Sequence, residues 1–143
     1  MVYISPIGPL HIKSDGTALI SLKLTSRAIP TKPSDCIEEA TAAWLDAYFA
    51  NKPLPPLPRL NPSGSEFRRA VWRELLTIPY GATISYGILA KRLRTSARAI
   101  GGAVGANPIA IIIPCHRVIA SDGSIGGYAY GIPAKEFLLR IEQ

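Results

Sequence analysis

Cysteine and histidine are both scarce in this chain, which holds only Cys36, Cys115, His11 and His116. Two thiols allow one bridge at most, and their sequence settings differ so much that no disulfide is expected. No Cys-x-x-Cys occurs and the two histidines are far apart in sequence, so neither a metal nor a cofactor is expected. Long apolar runs are missing as well. The stretch 109–114 falls far short of the roughly 20 residues a membrane span needs, and residues 1–10 lack a signal-peptide layout, so the expected compartment is the cytoplasm. Acidic side chains are few, ten against sixteen Lys and Arg, and the imbalance is local. Residues 1–60 carry six basic and five acidic side chains, residues 61–143 ten and five. The second part is therefore the candidate polyanion-binding region, although charge alone describes an ordinary solvated surface equally well. With 48% hydrophobic residues, the composition excludes the disordered class.

What is present reads as an α+β chain of two domains, residues 1–60 and 61–143. Residues 2–4, 10–13 and 18–24 read as short strands separated by turn residues, which predicts a small antiparallel meander. Asp35 can cap a helix with Glu38 closing a capping box, and Ile37, Trp44, Leu45 and Tyr48 follow at helical spacing; Cys36 falls in this pattern as a packed thiol. Five prolines between Lys52 and Pro62 predict an extended linker. Beyond it, the Ser63–Glu66 capping pattern opens a helix burying Phe67, Ala70, Val71, Leu75 and Ile78, with Arg68, Arg69 and Arg73 on its polar side. Ser85 and Ser96 can each cap a short helix, ending near Leu93 and Ala106, and the pair reads as a helix-turn-helix. The second of these helices carries Ala97, Ala99, Gly101, Gly102, Ala103 and Gly105, so one face has almost no side-chain bulk. Close helix packing and close approach of a ligand both account for that, and Arg98 favours DNA. The apolar run 109–113 reads as a buried strand or extended segment delivering Pro114-Cys115-His116-Arg117; a glycine-rich loop over 121–131 and a final helix begun by Pro133 complete the domain.

A cysteine attacks as its thiolate, only a few per cent of which exists at neutral pH unless a base or cation assists. His116 is the candidate base for Cys115. Adjacent side chains diverge on an extended chain, so the contact requires a bend or one bridging water. Glu142 on the last helix can accept from the second imidazole nitrogen and fix its tautomer.

Residues 107–119, Asn-Pro-Ile-Ala-Ile-Ile-Ile-Pro-Cys-His-Arg-Val-Ile, closely resemble the active-site motif of the O6-alkylguanine-DNA alkyltransferases, or methylated-DNA-protein-cysteine methyltransferases. The resemblance runs from about Phe67 through Glu142 and includes Ile84-Ser-Tyr86, Ala97 to Gly102, Gly126-Gly-Tyr128 and Lys135-Glu136; residues 1–60 match more loosely. It implies an N-terminal domain resembling ribonuclease H and a mainly helical C-terminal domain whose helix-turn-helix uses the minor groove. It implies direct-reversal repair, in which Cys115 irreversibly accepts the alkyl group from O6 of guanine, or O4 of thymine, in double-stranded DNA. By the same resemblance, His116 and Glu142 form a water-linked relay, and Tyr86 helps rotate the nucleotide out and donates toward the base. Arg98 enters the stack in place of the flipped guanine, with Tyr86, Ala97 and Asn107 completing the DNA-binding set, and Asn107 also ties the turn after the recognition helix as a hinge. The implied alkylguanine pocket comprises Val118, Tyr128, Ala129, Tyr130 and Lys135, the carbonyls of Cys115 and Val118 receiving the guanine amine. The implied state is a monomer without membrane contact.

Two positions depart from the family pattern: many relatives have serine where this chain has Ala129 and glycine where it has Tyr130. The main chain at 129 can still donate to the guanine oxygen, so methyl transfer is expected to survive with a narrower pocket mouth. Rival readings are a binding protein that shields damaged guanine, an alkylation-sensing regulator and a thiol hydrolase. The first lacks the acceptor cysteine present here, the second carries an extra cysteine-rich domain absent here, and the third needs an oxyanion hole that the sequence does not show.

Overall fold

The computed structural model describes residues 1–143, which divide into two compact units, Met1–Ser63 and Gly64–Gln143. In the first, β1 (Val2–Ser5), β2 (Gly8–Ser14) and β3 (Leu19–Leu24) form an antiparallel meander in the order β1-β2-β3. The hairpin between β1 and β2 closes over Pro6 and Ile7, and Gly8 takes a φ of 122° that a side chain would resist. Alternation along β2 sends Leu10 and Ile12 inward beside Val2 and Leu22, Leu19 is buried as well across the register shift at Lys13/Ser14, and α1 (Cys36–Phe49) adds Trp44, Leu45 and Tyr48. The Trp44 and Tyr48 rings stack with centroids 5.2 Å apart.

The α1 cap is built differently from the sequence expectation. Asp35 accepts from the Glu38 main-chain N–H at 2.8 Å, but the Glu38 carboxylate bonds to the Ser34 main chain and the Met1 amino group instead of closing the box on Asp35. A buried carboxylate with an ammonium group within 3.0 Å gains more there than from a single main-chain N–H. Cys36 is exposed rather than packed, because it is the first residue of the helix, where the apolar stripe has yet to begin. The proline-rich segment does not stay free of the sheet: Leu60 bridges Leu19 in parallel, with the Leu19 N–H donating to the Arg59 carbonyl and the Asn61 N–H to the Leu19 carbonyl.

The second unit begins with α2 (Glu66–Leu75), capped by Ser65 rather than Ser63. Val71, Trp72 and Leu75 are its buried residues, and Phe67, expected on the buried face, is exposed in the first turn. Two residues, β4 (Ile84–Ser85), pair in parallel with β5 (Val118–Ile119). Ser85 then caps α3 (Tyr86–Arg92) and Ser96 caps α4 (Ala97–Gly105), each hydroxyl accepting the N–H three residues on. Arg94 makes the turn between them with φ 54°, in the left-handed region. Trp72 braces α4 from behind, its indole N–H donating to the Ala103 carbonyl at 2.9 Å inside the core. The chain ends in α5 (Ile132–Ile141), with Pro133 in its first turn. None of the helices is long and apolar enough to cross a membrane.

Candidate active site

The run 109–113 is buried as expected but is not a strand. Ile112 N donates to the Ala110 carbonyl and Ile113 N to the Ile109 carbonyl, and Ile111 is held at φ 69°. Apolar content reported burial correctly, but burial does not dictate an extended backbone. Asn107 explains the turn: its side-chain N–H donates to the Ile113 carbonyl at 2.9 Å while its oxygen accepts from Ile109 N at 3.0 Å, so one amide bridges both ends. The turn hands the chain to a single 3-10 turn, Cys115–Arg117. Successive side chains of such a turn point about 120° apart, so Cys115 and His116 diverge although neighbours.

Cys115 is 5% exposed and faces a cavity of about 170 Å³. Tyr86 from the start of α3, Gly101 and Gly105 from α4, and Tyr128 and Ala129 from the glycine-rich loop line the same space. A Cβ added at either Gly101 or Gly105 would meet nothing within 4 Å, so the bare face of α4 opens onto the cavity and not onto a packed neighbour. Ala97 and Arg98 are exposed at the start of that helix. A larger cavity of about 500 Å³, lined by residues including Thr77, Thr83 and Ile88, contains none of the predicted residues and no nucleophile comparable to Cys115. Chemistry, not volume, selects the smaller one.

Behind the cysteine lies a buried polar cluster. His116 is fully buried, and its Nε2 lies 2.6 Å from Glu142 Oε2. Arg117 grips the same carboxylate at two points, Nε to Oε1 at 2.7 Å and Nη2 to Oε2 at 3.1 Å, and sends Nη1 to the Ile78 carbonyl at 2.8 Å. Gly81 N donates to Oε1 at 3.3 Å. Glu142 is thus an acceptor on all sides, which requires its histidine neighbour to donate from Nε2 and leaves Nδ1 with the lone pair. Nδ1 is buried and has no partner.

Burial pushes the Cys115 thiol up, against smaller downward pulls from the Asn107 amide and the Lys135 ammonium. Burial also pushes His116 down, and the Glu142 carboxylate only partly offsets it. Both effects favour a neutral thiol beside a neutral imidazole at rest. Lys135 is fully buried, and its Nζ donates to the Val118 carbonyl at 2.7 Å and the Gly127 carbonyl at 3.0 Å, tying β5 to the glycine-rich loop; burial lowers its pKa, opposed by Cys115. The carbonyls of Cys115 and Val118 therefore already accept one bond each, from Val118 N and Lys135 Nζ, and keep a second lone pair for an incoming donor. Tyr128 is raised strongly by burial and then by Cys115. Tyr130 is half-buried and does not line the cavity; its ring packs edge-on against Tyr128 at 5.6 Å. No group of three or more His, Cys, Asp or Glu side chains is placed to hold a metal ion.

Sequence reasoning reads Pro79-Tyr80-Gly81 as the stop of the preceding helix but missed Arg117 as a site residue and the contacts that Gly81 makes with Glu142 and Tyr80 with Arg117. The available signal was a guanidinium inside an otherwise buried stretch, since such a charge demands a partner.

The family described as 6-O-methylguanine DNA methyltransferase, DNA binding domain, matches residues 66–143. The methylated-DNA--protein-cysteine methyltransferase of Methanosarcina acetivorans is 40% identical, over 99% of this chain and 96% of its own length. The protein of that name from Mycobacterium tuberculosis is 41% identical, over 97% of this chain and 88% of its own. The crystal structure of Mycobacterium tuberculosis OGT in complex with DNA superposes with a TM-score of 0.88 at 41% identity, covering 99% of this chain and 90% of that one.

Proposed function

The chain belongs to the methylated-DNA--protein-cysteine methyltransferase family, whose chemistry is direct-reversal DNA repair by alkyl transfer to a cysteine, and on that premise we propose how its own residues perform the transfer. Cys115 is the acceptor. The observation that carries this reading is the unpartnered Nδ1 of His116, buried behind the cysteine while Nε2 is committed to Glu142. Nδ1 takes the thiol proton, directly or through water, and Glu142 balances the imidazolium that forms. The thiolate then attacks the alkyl carbon on O6 of guanine, or on O4 of thymine. The S–C bond forms, the C–O bond breaks with its electron pair on the base, and the base takes up one proton. The Tyr86 phenol, which lines the cavity, donates toward the departing base. A thioether is a poor leaving group and no second thiol lies in this unit, so each molecule acts once.

The alkylated base must leave the duplex to reach a sulfur that is only 5% exposed. The bare face of α4 brings duplex backbone close to the cavity mouth, and Arg98, exposed at its first turn, fills the vacated stack. Ala97 contacts the DNA beside it, and Asn107 holds the turn joining α4 to the cysteine. Val118, Tyr128, Ala129 and Lys135 form or brace the pocket. All these residues come from one chain, which makes a monomer sufficient, and a free acceptor thiol needs a reducing compartment, the cytoplasm. Mass spectrometry after incubation with a duplex containing O6-methylguanine is the test. One methyl on the peptide bearing Cys115 is the expected result; methyl on Cys36, or several turnovers per molecule, would overturn the reading.

A further inference from the structure

Glu142 is 4% exposed, and a carboxylate in that position is driven toward its neutral form unless cations and donors hold the charge. Gly81 N–H supplies one long contact at 3.3 Å and His116 a short one at 2.6 Å. Arg117 supplies two more bonds and a full positive charge in direct contact. Its own surroundings fix it there: Nη1 is bonded to the Ile78 carbonyl, and the Tyr80 ring lies 5.8 Å from the guanidinium carbon. The state of this carboxyl decides what His116 can do. An ionised Glu142 accepts, so the imidazole N–H sits on Nε2 and Nδ1 is a base. A protonated Glu142 donates to Nε2, which moves the imidazole N–H to Nδ1 and removes the base.

We infer that Arg117 is a positioning residue of the alkyl-transfer site: its two-point grip keeps Glu142 a carboxylate, and through that carboxylate it dictates that His116 offers Nδ1 as an acceptor. This rests on the relay reading above and assigns to Arg117 a role beyond joining α2 to the end of the chain. The other charged or titratable groups acting on the pair are Lys135 on α5, Tyr80 after α2 and Tyr128 in the glycine-rich loop, and Cys115 is the neighbour in the same 3-10 turn. Of these only Lys135 is a cation, and its Nζ is bonded to carbonyls rather than to Glu142.

The chain has two histidines, so nitrogen-15 NMR of histidine-labelled protein resolves the tautomer directly, with His11→Gln assigning the signals. Parent protein should show the Nε2–H form of His116 from neutral pH down to the acid limb of methyl transfer. In Arg117→Met the Nδ1–H form should appear near neutral pH, and the acid limb should move upward by about one pH unit, a tenfold loss of rate at a fixed pH on that limb. Arg117→Lys, which keeps the charge and loses the fork, should shift less. Should Arg117→Met fail to fold, Arg117→Gln carries the same comparison. An unchanged tautomer and an unmoved limb in folded variants, with only thermal stability reduced, would reduce Arg117 to a structural tie and overturn the inference. Failure of the parent to take methyl on Cys115 would instead defeat the function reading, while the tautomer result would stand.

Discussion

The first unit closes around Leu10, Ile12, Leu19, Leu22, Trp44, Leu45 and Tyr48, and its buried polar side chains are Ser5, Glu38 and Thr41. The second buries His116, Arg117, Lys135, Glu142 and Asn107 together. An apolar core is held by area and shape, tolerates volume-conserving exchange, and loses stability in rough proportion to what is removed. A buried ionic cluster obeys another rule: replacing it whole with apolar residues is often neutral or stabilising, while removing one member leaves a charge stranded. Stability alone therefore does not account for the second interior, and the proton relay proposed around Cys115 supplies a reason for it. The contrast teaches that, outside the Glu38–Met1 pair, the first unit can be edited residue by residue while the polar cluster of the second must be treated as a set.

Four substitutions test that contrast. Cys115→Ala should abolish methyl transfer completely while leaving affinity for duplex DNA intact, because the exposed face of α4 is untouched; single-turnover repair assays and fluorescence anisotropy check the two halves of the statement. Glu142→Gln should slow transfer by about 10²–10⁴-fold, the usual range for losing general-base assistance, and should also destabilise the fold by about 3–5 kcal/mol by stranding Arg117. Urea melts that show no loss would mean the cluster is not coupled as the geometry indicates. The pH dependence of that variant has a definite sign. His116 is held below its ordinary value by burial, so in parent protein the unfolded chain takes up the proton first, and stability falls as pH drops below about 6.5 through the folded value. Without the carboxylate the folded value drops further, and the loss should extend to lower pH.

Tyr130→Gly comes next in size. Its ring braces Tyr128, which lines a cavity of about 170 Å³, well below the roughly 300–1,000 Å³ typical of pockets for drug-sized ligands. Removing it should raise the ratio of benzyl to methyl transfer by about 10- to 200-fold, measured as single-turnover rates on the two O6-alkylguanines. An unaltered ratio would show that the aromatic pair does not set the pocket's size. Leu45→Ala in the first unit should have the smallest chemical effect. It should cost about 2–5 kcal/mol of stability and leave the rate of methyl transfer in the folded protein unchanged. A slowed rate would mean that the two interiors are not separable.

Legibility differed between the units for the same reason. The strands and α1 were readable because alternation and a 3.6-residue spacing follow directly from which side of an element is wet, and the helix-turn-helix was readable because Ser85 and Ser96 mark where each helix begins. Motif and chemistry pointed to Cys115, His116 and Glu142, and the fold brings the last two within 2.6 Å of each other. The run 109–113 was misread because five apolar residues announce burial in any backbone geometry, and the turn depends on one amide, that of Asn107, bonding across it. Arg117 was passed over because a basic residue in a basic region looks solvated until its three partners, Glu142, Ile78 and the Tyr80 ring, are seen to converge from distant positions. The box at Glu38 failed for a related cause: the Met1 amino group competing for that carboxylate is 37 positions away.

The bracing of α4 by Trp72 has an optical consequence. The chain contains two tryptophans, Trp44 within the first unit and Trp72 within the second, and both are buried. Trp44 lies against the Tyr48 ring, whereas the Trp72 indole is hydrogen-bonded to the main chain of α4, the helix proposed above to meet DNA. Each unit thus carries one native chromophore in a distinct setting. Trp44→Phe and Trp72→Phe would give two single-reporter proteins whose emission follows the units separately, and emission from Trp72 alone should respond when α4 is loaded, with no dye attached.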